Sequence, residues 1–130
     1  MPPETLPSGP NRRRRILIAD DEPLVRSLVE YVATELGFEI TVAKDGREAT
    51  AQVERNSFDV VVTDVYMPNQ DGLELIQFLR GANPPPKIIA ISGGGKFGVN
   101  ALRTAGLLGA AHVLPKPFEI SRLVELLGKT

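Results

Sequence analysis

The sequence predicts an α/β fold, in which a parallel β-sheet is covered by helices on both faces. Short apolar runs of the buried-strand type alternate five times with segments whose apolar residues recur at helical spacing. Strands that alternate with amphipathic helices form βαβ crossovers, which give parallel sheets. With 130 residues, the chain is long enough for one domain with its own buried core.

The first thirteen residues are predicted to form a disordered basic tail. Met1 to Asn11 contain four prolines, a glycine and few side chains to bury. Arg12 to Arg15 follow as a basic run, and a solvated lead into the first strand is favoured over contact with nucleic acid or membrane. The folded domain is therefore expected to cover residues 14–130.

The first βα unit follows this tail. Its strand is Ile16 to Ala19, and an acidic pair ends it. Pro23 suits the first turn of the helix that follows, and Gly37 is typical of a helix end. The apolar stripe of this helix consists of Leu24, Val25, Leu28, Val29, Val32 and Leu36.

The next two units repeat the pattern. Glu39 to Ala43 form the second strand, and Asp45 and Gly46 open its helix. Phe58 to Thr63 is the strongest predicted strand because it is rich in β-branched residues. Asn83 and three prolines end the third helix. The inward positions are Ala49 and Val53 in the second helix, and the third helix is marked by Leu73, Leu75, Ile76, Phe78 and Leu79.

The last two units contain the weakest prediction. Lys87 to Ile91 form the fourth strand, and the glycines of Gly93 to Gly98 predict a loop before a helix near Asn100 to Leu107. Ala111 to Leu114 form the fifth strand. Ile120, Leu123, Val124 and Leu127 mark the final helix. Five such units match a flavodoxin-like three-layer sandwich, with strand order 2-1-3-4-5 and five helices.

Composition excludes several classes of function. The chain has no cysteine, which removes disulfides and thiol nucleophiles, and its only histidine, His112, lies in an apolar run where a structural role is favoured. A net charge of −1 argues against a nucleic-acid footprint across the domain. No apolar run approaches the ~20 residues of a membrane span, and no secretory signal is recognisable. The cytoplasm is the expected compartment.

Polar residues collect where the predicted strands end. Asp20 and Asp21 follow the first strand, Asp64 the third, Ser92 the fourth and Lys116 the fifth. Parallel strands deliver their carboxyl ends to one edge of the sheet, and ligands bind there where the strand order reverses. Each residue also has a structural interpretation, as a helix cap, an Asx turn or a surface charge. Their coincidence at one edge favours a functional site.

The chemistry of this set suits phosphoryl transfer. Two like charges ~4 Å apart repel by ~4 kcal/mol at an effective dielectric of about 20, so three clustered carboxylates favour a bound cation. Oxygen ligands without histidine or cysteine suit Mg²⁺. Phosphoryl transfer depends mainly on positioning and charge neutralisation, and an aspartate can be the covalent nucleophile.

Several motifs, in order, resemble the receiver domains of two-component response regulators across residues 14–129. They read Ile-Leu-Ile-Ala-Asp20-Asp21-Glu-Pro, Val-Val-Thr-Asp64-Val-Tyr-Met-Pro-Asn-Gln-Asp-Gly72, Ile-Ile-Ala-Ile-Ser92-Gly and Leu-Pro-Lys116-Pro117-Phe. The resemblance implies a phosphoprotein of a phosphorelay, in which a sensor histidine kinase or phosphotransfer protein phosphorylates an aspartate. It also implies a downstream protein target, and no contact of this domain with nucleic acid or membrane.

The resemblance also implies a role for each matching residue. Asp64 would be the phosphoacceptor, and Ser92 and Lys116 would hold the phosphoryl oxygens. Mg²⁺ would bind Asp21, Asp64 and the backbone carbonyl of Tyr66, with Asp20 helping through water. The Lys116–Pro117 bond would be cis. Such a domain is not an enzyme with a separate substrate; it assists its own phosphorylation and dephosphorylation.

Two positions depart from the commonest pattern of the family. Val113 stands where an aromatic residue usually acts as a rotamer switch, and Tyr66 stands at a variable position that influences the lifetime of the phosphate. The chain ends just past its last helix, so we expect either a stand-alone, chemotaxis-regulator-like protein or a piece cut from a longer regulator.

Three alternative functions compete with this interpretation. Gly93 to Gly98 fit the dinucleotide-binding pattern G-x-G-x-x-G, but they follow the fourth strand, and no acidic residue ends the next one. A haloacid-dehalogenase-like phosphatase would have a second acid at position 66, where this chain has Tyr66. A non-phosphorylated docking module on the same fold has no support from the sequence, but remains the alternative function.

Overall fold

A computed structural model describes residues 13–67, 72–93 and 95–128 of the chain. The tail predicted for residues 1–13 lies outside this part, apart from Arg13, whose guanidinium donates to the Phe38 carbonyl at 3.1 Å. Residues 68–71 of the second motif and Gly94 of the predicted loop also lie outside the described residues. Within the described residues, no helix has the length and apolar character needed to cross a bilayer.

Five strands form one parallel sheet in the order β2-β1-β3-β4-β5, which confirms the predicted fold. The strands are β1 (Arg15–Ala19), β2 (Glu39–Ala43), β3 (Val60–Asp64), β4 (Lys87–Ser92) and β5 (His112–Pro115). The helices between and after them are α1 (Pro23–Glu35), α2 (Gly46–Arg55), α3 (Gly72–Arg80), α4 (Gly95–Leu108) and α5 (Ile120–Gly128).

The sheet lies between two helical layers, each with its own apolar core. Because side chains alternate along a strand, Ile16 and Ile18 of β1 pack in the core under α1 and α5. Leu17 and Ala19 pack in the other core, under α2, α3 and α4. All four side chains are fully buried. Burial on both faces explains why the strands are continuous apolar runs rather than alternating patterns.

The start of α4 differs from the prediction. The glycines of Gly93 to Gly98 predicted a loop, with the helix near Asn100, but α4 begins at Gly95. Glycine has low intrinsic helix propensity, and tertiary packing routinely overrides propensity. Ala101, Leu102 and Ala105 of α4 are buried in the core on the side of the sheet where α4 packs against β4 and α3. This packing holds the helix against the sheet and lets its first turn form at glycines.

Several apolar residues that mark the predicted helices are exposed in the structure. In the stripe predicted for α1, Leu24 is 86% exposed and Leu36 is 41% exposed. Phe78, Ile120 and Val124 lie in the helices that they were predicted to mark, but they are 48%, 53% and 40% exposed. Helical spacing identifies one face of a helix, but not how far the neighbouring layer covers that face. Strand limits shift by one or two residues, so that β3 begins at Val60 and β5 at His112.

Candidate functional site

Four strands deliver the predicted site residues to one edge of the sheet. Asp20 directly follows β1, Asp64 and Ser92 are the last residues of β3 and β4, and Lys116 directly follows β5. The edge lies where β1 stands between β2 and β3, the point at which the strand order reverses. Open parallel sheets bind their ligands in the crevice at this place.

Three aspartates meet in the crevice. One carboxylate oxygen from each of Asp20, Asp21 and Asp64 lies within 4.8 Å of the other two. Asp20 and Asp64 are buried, whereas Asp21 is exposed. Buried carboxylates of like charge are costly unless a cation or hydrogen bonds compensate them. The cluster therefore needs positive charge.

Lys116 supplies part of that charge. Its ammonium nitrogen Nζ lies 2.7 Å from Asp64 Oδ2 and 3.1 Å from Asp20 Oδ2, and only 12% of its side chain is exposed. Burial by itself lowers the pKa of Lys116, but the hydrogen bonds to Asp64 and Glu22 outweigh it and raise the pKa above its usual value. The lysine therefore remains an ammonium ion throughout the physiological range.

Glu22 is the site residue that sequence reasoning missed. Its Oε1 atom accepts a hydrogen bond from Lys116 Nζ at 2.7 Å, although the two residues are 94 positions apart. The only signal in the sequence was its place directly after the acidic pair. It is also the N-cap of α1, a position that accounts for an acidic residue without any contact to a lysine.

The backbone around Asp64 holds its carboxylate in place. Tyr66 N–H donates to Asp64 Oδ1 at 3.0 Å, and the Thr63 hydroxyl donates to the Asp64 carbonyl at 2.9 Å. Gly72 N–H donates to the Val65 carbonyl at 2.8 Å, which brings the start of α3 against this turn. A Cβ at Gly72 would lie 2.9 Å from Val65 Cα and still closer to the Asp64 carbonyl, so only glycine fits there.

Asp20 is held from both ends. Its Oδ1 accepts from Glu22 N–H at 2.8 Å, and its carbonyl accepts from Arg26 Nη1 at 2.8 Å. Burial raises the pKa of Asp20 to about 6; the Glu22 hydrogen bond and Lys116 lower it, and the Asp64 charge raises it. Arg26 was not predicted either, since only its position one turn into α1 brings it back over the loop.

The donor set fits a hard cation such as Mg²⁺. Asp20 Oδ2 is buried and has no hydrogen bond of good geometry within the described residues, although the Lys116 ammonium lies 3.1 Å away. Together with Asp21 and Asp64 it offers only oxygen ligands, which Mg²⁺ prefers. The backbone carbonyl predicted for Tyr66 stays a prediction, because only the Tyr66 amide is observed in contact with the cluster.

Ser92 and His112 occupy different surroundings. Ser92 is fully buried, and its hydroxyl has no hydrogen-bond partner among the described residues, which leaves it available to a ligand. Lys116 N–H donates to the Ser92 carbonyl at 2.6 Å, so the two residues are tied through the backbone.

His112 is half-buried at the first residue of β5, the end of that strand farther from Lys116. The Lys116–Pro117 bond is cis, as the resemblance implied, and so is Asn83–Pro84.

Comparison with known proteins gives a consistent result. The model of the response regulator receiver domain family matches residues 16–128. The chemotaxis protein CheY of Thermotoga maritima is 33% identical over 119 residues, which cover 89% of this chain and 96% of CheY. The response regulator protein PilR of Pseudomonas aeruginosa is 32% identical over 118 residues, which cover 89% of this chain but only 26% of PilR. The chain thus spans about a quarter of PilR and nearly all of CheY.

Solved structures show the same fold. The chemotaxis response regulator CheY4 of Vibrio cholerae superposes with a TM-score of 0.79 at 28% identity, over 90% of this chain and 98% of that one. The REC domain of AraT, a response regulator from Geobacillus stearothermophilus, superposes with a TM-score of 0.78 at 33% identity, over 89% and 91% of the two chains.

Proposed function

Because this chain belongs to the family of response regulator receiver domains, we propose that it is phosphorylated on Asp64 in a Mg²⁺-dependent reaction. The observation that carries the proposal is the pairing of Asp64 Oδ2 with Lys116 Nζ at 2.7 Å, beside two further carboxylates. A nucleophilic carboxylate, an ammonium ion and an oxygen-ligand cluster for a cation are the parts that phosphoryl transfer to an aspartate requires.

The proposed reaction forms an oxygen–phosphorus bond and breaks the bond between phosphorus and the leaving group. A carboxylate oxygen of Asp64 attacks the phosphorus atom of the donor, and the bond from phosphorus to the donor's leaving atom breaks. The electron pair departs with the leaving group, which solvent protonates. Asp64 is suited to this role because it ends β3 and the Tyr66 amide orients its carboxylate, while its side chain is still 7% exposed at the crevice.

Asp20, Asp21 and Asp64 are the residues that would hold Mg²⁺, and the Tyr66 carbonyl is proposed to complete the set. When bound, the ion neutralises negative charge on the phosphoryl oxygens and on the acidic cluster. The exposed Asp21 gives the ion access to the cluster from solvent. The buried Asp20, with one oxygen lacking a hydrogen bond, gains a compensating charge.

Lys116 and Ser92 are proposed to hold the phosphoryl oxygens. The ammonium of Lys116 donates a hydrogen bond to the Asp64 carboxylate in the unmodified protein. After phosphorylation, the same N–H can donate to a phosphoryl oxygen instead. The Ser92 hydroxyl, buried without a described partner, can supply a second hydrogen bond. Movement of these two side chains toward the modified Asp64 would change the ends of β4 and β5.

The proposed donor is a sensor histidine kinase or phosphotransfer protein, and the product state is proposed to be recognised by a downstream protein target. The domain acts as a phosphoacceptor that assists its own phosphorylation and dephosphorylation, rather than as an enzyme with a separate substrate. The acidic crevice opposes contact of this edge with nucleic acid, because phosphate backbones require a basic surface.

Incubation with acetyl phosphate and Mg²⁺ tests the proposal. Intact-mass measurement should show one added phosphoryl group that is lost in base, and Asp64→Asn should abolish it. The matched control is Asp45→Asn: the same chemical change at the N-cap of α2, where asparagine also caps well. This control should label as the parent does. A parent that gains no phosphoryl group from this donor or from phosphoramidate would instead support the non-phosphorylated docking module.

A further inference from the structure

Glu22 binds the lysine of the site from its solvent-exposed side. Three carboxylates surround Lys116 Nζ, and they differ in exposure: the side chain of Asp20 is fully buried, that of Asp64 is 7% exposed, and that of Glu22 is 58% exposed. Of the three, only Glu22 was given no role by the resemblance to the family. Its hydrogen bond to the ammonium, at 2.7 Å, is as short as that of Asp64.

The orientation of Glu22 is set by this contact and not by its helix. Glu22 is the N-cap residue of α1, yet its side chain makes no capping hydrogen bond. The first turn of α1 contains no acidic residue, so the positive end of the helix has no carboxylate of its own. The Glu22 carboxylate does not cap the helix and instead binds Lys116 in the loop after β5.

The contact competes with phosphorylation for the same donors. A lysine ammonium has three N–H groups. Two donate to Asp64 and Glu22, and the buried carboxylate of Asp20 lies 3.1 Å from the same nitrogen. A phosphoryl group on Asp64 can take over the N–H that now serves the Asp64 carboxylate, but it gains a second N–H of this ammonium only when Glu22 or Asp20 withdraws.

Glu22 is the carboxylate that can withdraw most easily. An exposed carboxylate regains its hydration when an ion pair opens, so such pairs contribute little net stability. A groove of about 400 Å³ adjoins the pair, bordered by Glu22 and Lys116 together with Val25, Leu28 and Phe118. Glu22 therefore has open space to move into, whereas Asp20 is enclosed and Asp64 is the acceptor itself.

We propose that Glu22 is a positioning residue that restrains the phosphorylation of Asp64. It holds the Lys116 ammonium toward solvent and adds a negative charge beside the crevice that the anionic donor enters. This inference rests on the proposed function, in which an Asp64 oxygen forms a bond to phosphorus and the leaving group departs with its electron pair. Removal of the Glu22 charge weakens the hydrogen bond that engages one lysine N–H and reduces the repulsion of the incoming phosphate.

The test compares Glu22→Gln with the parent under saturating Mg²⁺. Glutamine keeps the size of the side chain and loses its charge. The second-order rate constant for phosphorylation by acetyl phosphate should rise about threefold to tenfold, because one unit charge at ~4 Å in water corresponds to a factor of this order. The matched control is Glu30→Gln, the same change on an exposed position of α1 two turns further along. It should stay within about 1.5-fold of the parent, since exposed charges more than ~10 Å apart are largely screened at ~0.1 M salt.

Further measurements distinguish a restraint by the Glu22 charge from a structural role of this residue. The gain should be larger with acetyl phosphate, a dianion near neutral pH, than with phosphoramidate, whose net charge is smaller. The gain should also shrink as salt is added, because screening weakens the repulsion that the substitution removes. The affinity for beryllium trifluoride, a phosphoryl mimic that requires no leaving group, should rise in Glu22→Gln as well.

The outcomes are distinct from those of the proposed function. A parent that takes no phosphoryl group overturns the function itself. A parent that labels on Asp64, with Glu22→Gln equally fast or slower, overturns the restraint by Glu22 alone. A gain that is the same for both donors and independent of salt overturns the charge argument. Equal melting temperatures of parent and variant establish that the comparison is between folded proteins.

Discussion

The ammonium of Lys116 lies 2.7 Å from Asp64 Oδ2, although 52 positions separate the two residues in the chain. The contact exists because β3 and β5 flank β4 and end at the same edge of the sheet. It joins the proposed acceptor to the cation that also pairs with the carboxylates of Asp20 and Glu22.

Asp21→Ala should weaken Mg²⁺ binding. The substitution removes an exposed carboxylate that offers a ligand oxygen, while Asp20 and Asp64 remain. We expect the dissociation constant to rise by about tenfold or more, which corresponds to about 1.4 kcal/mol. Titration calorimetry measures this directly. Stability without metal should change by less than about 0.5 kcal/mol, as for most surface substitutions.

Lys116→Ala should have the opposite effect on the metal. Loss of the ammonium leaves the carboxylates of Asp20, Asp64 and Glu22 without their cation, so the site becomes more negative. We expect Mg²⁺ affinity to be unchanged or increased, whereas the affinity for beryllium trifluoride falls. Loss of Mg²⁺ affinity equal to that of Asp21→Ala would contradict this division of roles.

Asp20→Asn should stabilise the metal-free protein at neutral pH. The pKa of Asp20 is raised from 3.8 to about 6, mainly by burial. A raised pKa means that the folded state binds the proton more tightly, so this stabilising contribution is present below about pH 4 and is lost as the pH rises through about 6. Asparagine carries no such charge, so it avoids this loss of stability, which is on the order of 3 kcal/mol.

Urea denaturation at pH 4 and pH 7 in the presence of a chelator measures the effect. The difference in free energy of unfolding between variant and parent should be larger at pH 7. The same urea series on Asp45→Asn, the half-buried N-cap of α2, should show no such change with pH. A variant that is less stable than the parent at pH 7 would show that the Asp20 charge is already compensated.

Gly72→Ala should destabilise the domain and distort the acceptor turn. Its Cβ would meet the backbone of Asp64 and Val65, which cannot move as a flexible side chain would. We expect a loss of about 1–3 kcal/mol, despite the higher helix propensity of alanine. Gly128→Ala, at a helical glycine with nothing within 4 Å of an added Cβ, is the matched control and should be neutral or slightly stabilising.

Most of the fold could be predicted because its signals are local. Each strand is a short apolar run and each helix an apolar stripe, so five repeats predicted the topology and brought Asp20, Asp64, Ser92 and Lys116 to one edge. The predictions failed for residues whose burial or helical state depends on how another layer of the fold packs over them. Leu24 has the spacing of a core residue and is 86% exposed. Gly95 has the propensity of a loop residue and begins a helix.

What the sequence by itself determined is the succession of strands and helices along the chain and the residues at the strand ends, since both follow from periodicity. What only the tertiary structure decided is which of those charged residues are buried and which of them pair with one another. Asp20 is buried and its neighbour Asp21 exposed, and Glu22 turns from its own helix to a lysine 94 positions away. Such choices depend on side-chain reach, desolvation and competing hydrogen bonds, which have no periodicity in the sequence and arise only when the strand ends meet.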